Sequence, residues 1–353
     1  MTSADMALDY SEESSVDTQV LDCSTAGIAK AAGIVRAGGL VAFPTETVYG
    51  LGANALSAQA VARIFEAKGR PRFDPIIVHV ASPEEAEPLW TEVPPLARLL
   101  MARFWPGPLT LVLPKSDLIP EIVTAGLPTV AVRMPDHPMA LALIREAGCP
   151  IAAPSANRFG RPSPTHHDHV LDSLGGRIEA VLACGPTPVG IESTVVSLVK
   201  APPRVLRPGG TPLEALREVV GELLVDPSKP SQGATSAPGT LPRHYVPQTP
   251  LFLLEPGPPE GREPLSRRRC GILAFRGEWH GFGRVEVLSR SGDLREAAAN
   301  LFAALHELDR AGLSAIVAEP VPEEGLGVAI MDRLRRAAAG RARVDESSVW
   351  IRR

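Results

Sequence analysis

The sequence predicts an α/β protein of two domains: a strongly twisted mixed sheet with flanking helices, followed by a smaller three-layer, Rossmann-like α/β domain. Three observations predict it. At 353 residues the chain is about twice a usual domain length. Before residue 225, short apolar runs outnumber helical patterns, and the Pro and Gly between them break any simple βαβ repeat. After residue 250, apolar runs alternate with long helical patterns, the sign of parallel pairing.

In chain order, residues 1–19 carry Asp5, Asp9, Glu12, Glu13 and Asp17 and read as a flexible acidic tail. The first domain, 20–224, opens with a helical pattern over 26–35. Gly38-Gly39 then turns the chain into the buried run Leu40-Val41-Ala42-Phe43. Ser57 is placed to cap a helix whose stripe is Val61, Ile64, Phe65 and Lys68, and Gly69 with Pro71 stops it. Further strands are predicted at 76–80, 109–113, 129–133, 151–153, 180–184, 194–199 and 204–206, and helices near 96–104, 138–147 and 213–223. Residues 225–249 turn polar and rich in Pro, Gly and Ser, the composition of a linker. The second domain, 250–353, offers strands at 251–254, 270–275, 285–288 and 315–318, with helices at 293–311 and 327–339.

Composition excludes several classes. A net charge of −4 argues against a whole-surface nucleic-acid footprint. Cys23, Cys149, Cys184 and Cys270 are far apart and form no CxxC pair, so they read as reduced thiols of a cytoplasmic protein. The start of the chain lacks a secretory pattern, and no stretch is long and apolar enough to span a bilayer. No GxSxG elbow, HExxH or Walker A sequence is present.

What the first domain offers is hydroxyls (Thr45, Thr47, Thr129, Ser155, Ser163, Ser193), cations (Lys68, Arg70, Arg133, Arg207) and the amide of Asn157, on loops just beyond regular elements. Those groups suit an enzyme that positions two reactants and offsets phosphate charge, with no protein nucleophile. Each segment also has a plainer reading. Lys68-Gly69-Arg70-Pro71 alone reads as a solvated helix end, and Ser155 and Asn157 fit a local cap or Asx-turn. Arg133, directly after Val130-Ala131-Val132, asks for an anionic partner. His79 reads equally as a core histidine or a ligand contact. His166, His167 and His169 lack a complete set of metal ligands, and Thr165 before them is placed to cap a helix.

Together these segments resemble the YrdC-like family in its long two-domain form, which makes threonylcarbamoyl-AMP for N6-threonylcarbamoyladenosine in tRNA. The resemblance rests on FPTETVYGLGANA at 43–55, KGRP at 68–71, PIIVH at 75–79, FWPGPLTLVL at 104–113, VAVRMPDHP at 130–138, APSANRFGRPSPT at 153–165, ESTVV at 192–196, RPGG at 207–210 and GLGVAIMDRL at 325–334.

The resemblance implies that Lys68, Arg70, Ser155 and Asn157 form a catalytic tetrad. It implies a threonine site of Thr47, His79, Arg133, Ala153 and Ser193, and ATP contacts from Arg70, Asp74, Thr129, Ser155, Ser163, Arg207 and Tyr245. Asp74 departs from the family's usual Asn and adds negative charge near a polyanion. Magnesium is implied through ATP phosphates, with no protein ligand. The implied partners are ATP, L-threonine, bicarbonate or carbon dioxide, the tRNA threonylcarbamoyl transferase machinery, and weak direct contact with tRNA; no membrane is implied. Arg243-His244-Tyr245, between prolines in a featureless linker, reads as a segment that closes over the nucleotide. A rival reading is an RNA-binding module using Lys68, Arg70, Arg72, Arg158 and Arg161, and another is a carbamoyl transferase with a different acceptor.

Overall fold

A computed structural model describes residues 16–225, 243–258 and 264–352. The first domain runs β1 (Gln19–Leu21), α1 (Thr25–Arg36), β2 (Val41–Pro44), β3 (Tyr49–Asn54), α2 (Ala58–Lys68), β4 (Ile77–His79), α3 (Pro83–Ala86), α4 (Pro95–Phe104), β5 (Leu109–Pro114), α5 (Glu121–Thr124), β6 (Thr129–Arg133), α6 (Pro138–Ala147), β7 (Ile151–Ala152), α7 (His167–Leu174), β8 (Ala180–Leu182), β9 (Thr194–Ser197), β10 (Arg204–Arg207), α8 (Leu213–Val220) and β11 (Leu224–Val225). The second runs β12 (Leu251–Leu254), β13 (Pro264–Ser266), β14 (Cys270–Ala274), β15 (Arg284–Val287), α9 (Leu294–Arg310), β16 (Ala315–Ala318), α10 (Gly327–Ala337), β17 (Gly340–Val344) and β18 (Ser348–Arg352).

The first sheet has strand order β1-β8-β2-β3-β7-β4-β6-β5-β9-β10-β11 and mixes parallel with antiparallel pairs. Its helices begin and end where local chemistry dictates. Ser57 accepts from the Ala60 amide at the start of α2, and Gly69 closes it at φ 60°. α7 is capped by His166, whose imidazole accepts from Asp168 N, and not by Thr165.

Alternation along the strands sorts the side chains. Val78, Val130, Val132, Leu109, Leu111, Val196 and Val205 enter the main core. Ile77, Val112, Ala131 and Val195 face the other way, in a small apolar cluster that contains no helical residue. That face, buried though no helix packs on it, is the floor of the site.

The second sheet, order β13-β18-β17-β12-β16-β14-β15, is parallel at its centre and ends in the antiparallel β17–β18 and β13–β18 pairs, which the sequence did not predict. α9 and α10 bury Leu301, Phe302, Leu305, Ile330 and Leu334 in one core with Leu251, Leu253, Leu273 and Ile316. On the opposite face, Trp279 and Phe282 of the β14–β15 connection pack against strand residues such as Phe252, Ile272 and Val317, and no residue of α9 or α10 joins that cluster, so both long helices lie on one side of the sheet.

Three expectations are corrected. Residues 16–19 are not a loose tail: Val16 N and Gln19 N bond Gly176 O and Glu179 O, and β1 joins the sheet beside β8. Cys23 and Cys184 are not reduced thiols; they form a disulfide with Cα atoms 5.7 Å apart, because β1 and β8 are neighbouring parallel strands that end together. No strand was expected between Phe43 and residue 76, yet β3 runs from Tyr49 to Asn54 despite Gly50 and Gly52. Residues 226–242, most of the expected linker, lie outside the described residues, as do 1–15 of the expected tail. Among the described residues, no helix is long and apolar enough to cross a membrane.

Candidate active site

β4 and β6 run parallel with His79 opposite Arg133 and Ile77 opposite Ala131, so both polar side chains stand side by side on the helix-free face. Arg133 donates from Nη1 to Thr47 Oγ1 at 2.9 Å and from Nε to Gly107 O at 3.2 Å, and its Nη2 pairs with Glu46. The turn between β2 and β3 is tied by its own hydroxyls: Thr45 Oγ1 lies 2.7 Å from Thr47 Oγ1 and bonds Val48 O. His79 is buried and held neutral down to about 3, first by desolvation and then by the Arg133 charge.

Two loops complete the wall. Gly50 bridges Ser155, and Ala156 N bonds Tyr49 O, which pins the Pro154-Ser155-Ala156-Asn157 loop along β3. From β9 and β10 come Ser193, whose Oγ lies 2.7 Å from Thr110 Oγ1, and Arg207, which donates to Ser193 O and Oγ. Thr45, Thr47, His79, Arg133, Ala153, Ser155, Ser193, Arg70, Arg207, Glu192, His244 and Tyr245 line one cavity of about 50 Å³. That volume admits a few waters and is far below the several hundred Å³ usual for a nucleotide-sized ligand.

All five residues expected at a threonine site, Thr47, His79, Arg133, Ala153 and Ser193, therefore meet in one cavity, together with Arg70, Ser155, Arg207 and Tyr245. Other expected residues stand behind the wall. Lys68, buried at 2% exposure, donates its amine to the carbonyls of Ser155 and Asn157. It is no solvated helix end, and desolvation first, then Arg70, push its pKa well below the ordinary lysine value. Asn157 spends Nδ2 on the carbonyls of Arg158 and Arg161. Asp74 pairs with Arg70 at 3.0 Å, and Arg70 also donates to Asp74 O and Pro75 O. Ser163 is fully buried and donates to Glu192 Oε1 at 2.6 Å.

Thr129 is four residues from Arg133 on the same strand face, about 13 Å away at strand rise, and lines a separate open cleft of about 470 Å³ with Val112, Lys200 and Arg204.

Three residues escaped the sequence reading: Glu46, Glu192 and Arg333. Each is charged and buried, and an isolated buried charge is costly. All three lie in quoted motifs, and the need for a partner to Arg133 was the signal that could have found Glu46. Arg333 gave no signal, because it comes from the other domain. Its Nε meets Glu192 Oε2 at 3.0 Å, and its Nη1 donates to Pro208 O at 2.6 Å. Glu192 is held down to about 2: desolvation raises it, but Arg333 and Arg207 outweigh that.

The described end of the linker packs into the core of the second domain. Tyr245, at φ 63° and 1% exposure, packs on Phe302 of α9 and shares an apolar cluster with Val48 and Ile191 of the first domain. His244 N bonds Arg336 O of the second domain, and Val246 N bonds Gly160 O of the first. Among the described residues, the Tyr245 hydroxyl and His79 Nδ1 are buried without a hydrogen-bond partner.

Comparison with known proteins agrees with this architecture. Residues 33–209 match the Sua5, YciO and YrdC family described as "Telomere recombination", and residues 211–339 match "Threonylcarbamoyl-AMP synthase, C-terminal domain". The chain is 49% identical over 322 residues to the threonylcarbamoyl-AMP synthase of Pyrococcus abyssi, covering 88% of this chain and 94% of the relative. It is 47% identical to the Bacillus subtilis threonylcarbamoyl-AMP synthase, over 92% and 96% of the two chains. The crystal structure of P. abyssi Sua5 complexed with L-threonine superposes with a TM-score of 0.85 at 44% identity, covering 93% of this chain and all of that one. With both domains matched in order and nearly half of all aligned residues identical, the chain belongs to the threonylcarbamoyl-AMP synthase family in its two-domain form.

Proposed function

We propose that this protein joins L-threonine, bicarbonate-derived carbon dioxide and ATP into L-threonylcarbamoyl-AMP and pyrophosphate. The observation that carries this reading is the convergence of Thr47, His79, Arg133, Ala153 and Ser193 on one cavity that Arg70, Ser155 and Arg207 also line. Arg133 takes the threonine carboxylate. Hydroxyls of Thr47 and Ser193 and the neutral His79 surround the remainder. The threonine amine adds to carbon dioxide and loses a proton, giving a carbamate. A carbamate oxygen then attacks the α-phosphorus, the bond to the bridging oxygen breaks, and pyrophosphate leaves.

Arg70 and Arg207 offset the phosphate charge from fixed positions. Lys68 and Asn157 act through the loop that carries Ser155, and Asp74 acts by holding Arg70. Glu192 of the cavity wall, and Asp74 and Glu46 beside its arginines, are each set against an arginine. They do not fit a resident metal, so magnesium enters on the phosphates of ATP as part of the substrate. Because the cavity is small, His244 and Tyr245 withdraw to admit ATP and return over it.

The product passes to the transferase that modifies tRNA, in the cytoplasm, where the Cys23–Cys184 bond would be uncommon company. Lys68 and Arg70 are buried, so the weak direct contact with tRNA falls to Arg72, Arg158 and Arg161, which are exposed. The test is pyrophosphate release from ATP, magnesium, bicarbonate and each amino acid in turn. Release fastest with threonine, slower with serine and slight with valine supports the reading, and release without any amino acid overturns it.

A further inference from the structure

Arg333 sits in the middle of α10, a helix of the second domain, yet its side chain is completely buried and ends in the first domain. A guanidinium in that position needs full compensation. It finds Glu192 at Nε, and at Nη1 the carbonyl of Pro208 and the carboxylate of Asp332. Its Cζ stands 5.6 Å from the centre of the Tyr245 ring. Its Nη2, like the Tyr245 hydroxyl, is buried without a hydrogen-bond partner among the described residues.

Mere adhesion between domains needs no such arrangement. Arg310 with Asp172 and the Gly325 amide with Glu214 already join them at the surface, and His306 with Ser163 O joins them deeper in. What distinguishes the Arg333 contact is its target. Glu192 immediately precedes Ser193, and both line the cavity that also holds Arg70 and Arg207. A bare carboxylate in that wall would repel an incoming polyphosphate and would attract Arg207 away from it.

We propose that Arg333 is a positioning residue for the nucleotide, supplied by the second domain: it neutralises Glu192, so that a nucleoside triphosphate can lie against that wall with Tyr245 closed over it. This rests on the ATP site proposed above. It gives the second domain a direct electrostatic part in substrate binding. Arg333 belongs to the GLGVAIMDRL segment at 325–334, whose pattern in sequence offered no chemistry of its own.

The test compares full-length wild type, Arg333→Met, Arg333→Lys, Glu192→Gln and the double variant Glu192→Gln/Arg333→Met. Equilibrium binding of ATP is measured alongside pyrophosphate release with ATP and threonine varied separately. Arg333→Met should weaken ATP binding and raise its KM about tenfold or more, while the KM for threonine moves less than about threefold. Removing the carboxylate as well should restore ATP affinity to within about threefold of Glu192→Gln alone, a rescue that lost packing does not produce. Arg333→Lys should fall between.

If the double variant is as impaired as Arg333→Met, or both substrates weaken equally, Arg333 only holds the domains together and the inference fails. Should Arg333→Met not fold, Glu192→Gln decides, because it removes the charge that Arg333 masks; a tenfold loss of ATP affinity there overturns the inference. A wild type that binds no ATP overturns the functional reading and the inference with it. A wild type that binds ATP no better than Arg333→Met overturns the inference alone.

Discussion

Arg70, Arg133 and Arg333 are each buried and each matched to a carboxylate, Asp74, Glu46 and Glu192. Removing one member of such a pair leaves the other charge stranded, at a cost of about 3–5 kcal/mol. Asp74→Ala is therefore expected to destabilise the fold by that order, whereas Asp74→Asn, which keeps a hydrogen-bonding group against Arg70, should cost much less; urea midpoints for the two variants check this. Arg70→Ala should lower pyrophosphate formation at least about tenfold, equivalent to about 1.4 kcal/mol. Equal turnover by a folded Arg70→Ala protein would remove Arg70 from the site. Substrate choice rests on single side chains too. A cavity lined by Thr45, Thr47 and Ser193 hydroxyls leaves polar groups unmatched when the substrate lacks its own, so valine should be a poor substrate and serine penalised by about 1–3 kcal/mol. Initial rates with the three amino acids settle it. Asp74 shows the limit of a sequence at this scale: its charge was legible as a misfit beside a polyanion, but its partner was not, because the Arg70–Asp74 pair closes across a loop and no helical or strand period dictates it.

Among elements, β4 and β6 were the most legible, since their alternation alone puts His79 and Arg133 on one face and Val78, Val130 and Val132 on the other. β3 was not, because glycines at 50 and 52 hide the strand pattern while serving it: a Cβ at Gly52 would meet Phe43 at 2.7 Å and Ile151 at 2.8 Å. Thr129 was assigned correctly to a strand and yet lines another cleft, because its place along the strand was ignored. Gly190 is the tightest interdomain approach of this kind. At φ 75°, its Cβ would lie 2.4 Å from Ala298 O of α9. Gly190→Ala should thus push α9 from the first domain, lowering the melting temperature and raising the KM for ATP, while a variant at Gly221, where a Cβ meets nothing within 4 Å but φ is 72°, should affect stability alone. Calorimetry with steady-state kinetics on both variants tests the contrast.

For the whole molecule, composition and the change of pattern near residue 225 made two α/β domains legible, but nothing in one sequence reported how the two meet. Burial of histidines through the molecule carries a pH signature. His79, His169 and His244 are held neutral down to about 3, in each case chiefly by burial, against an ordinary value of 6.5. The unfolded chain takes up protons there first, so their contribution to stability is present above about pH 6.5 and lost as pH falls toward 3. Glu192, depressed from 4.5 to about 2, adds a further loss between those values. Unfolding midpoints should decline steadily from pH 7 to pH 4, and a flat profile over that range contradicts the burial of these imidazoles. The disulfide was the largest miss at this scale. Four scattered cysteines carry no pairing information until the β1–β8 neighbourhood is known, and the chain-entropy model assigns a loop of 161 residues about 5 kcal/mol.

That bond also changes what a break in the chain means. Cys23 and Cys184 enclose most of the first domain, including the β2–β3 turn, α2, β4, β6 and the Ser155 loop. A protease that cuts once anywhere between them leaves two pieces still joined, and the strands of both remain threaded through one sheet. Nicked molecules should therefore migrate as intact protein on a gel run without reductant and separate only when thiol is added.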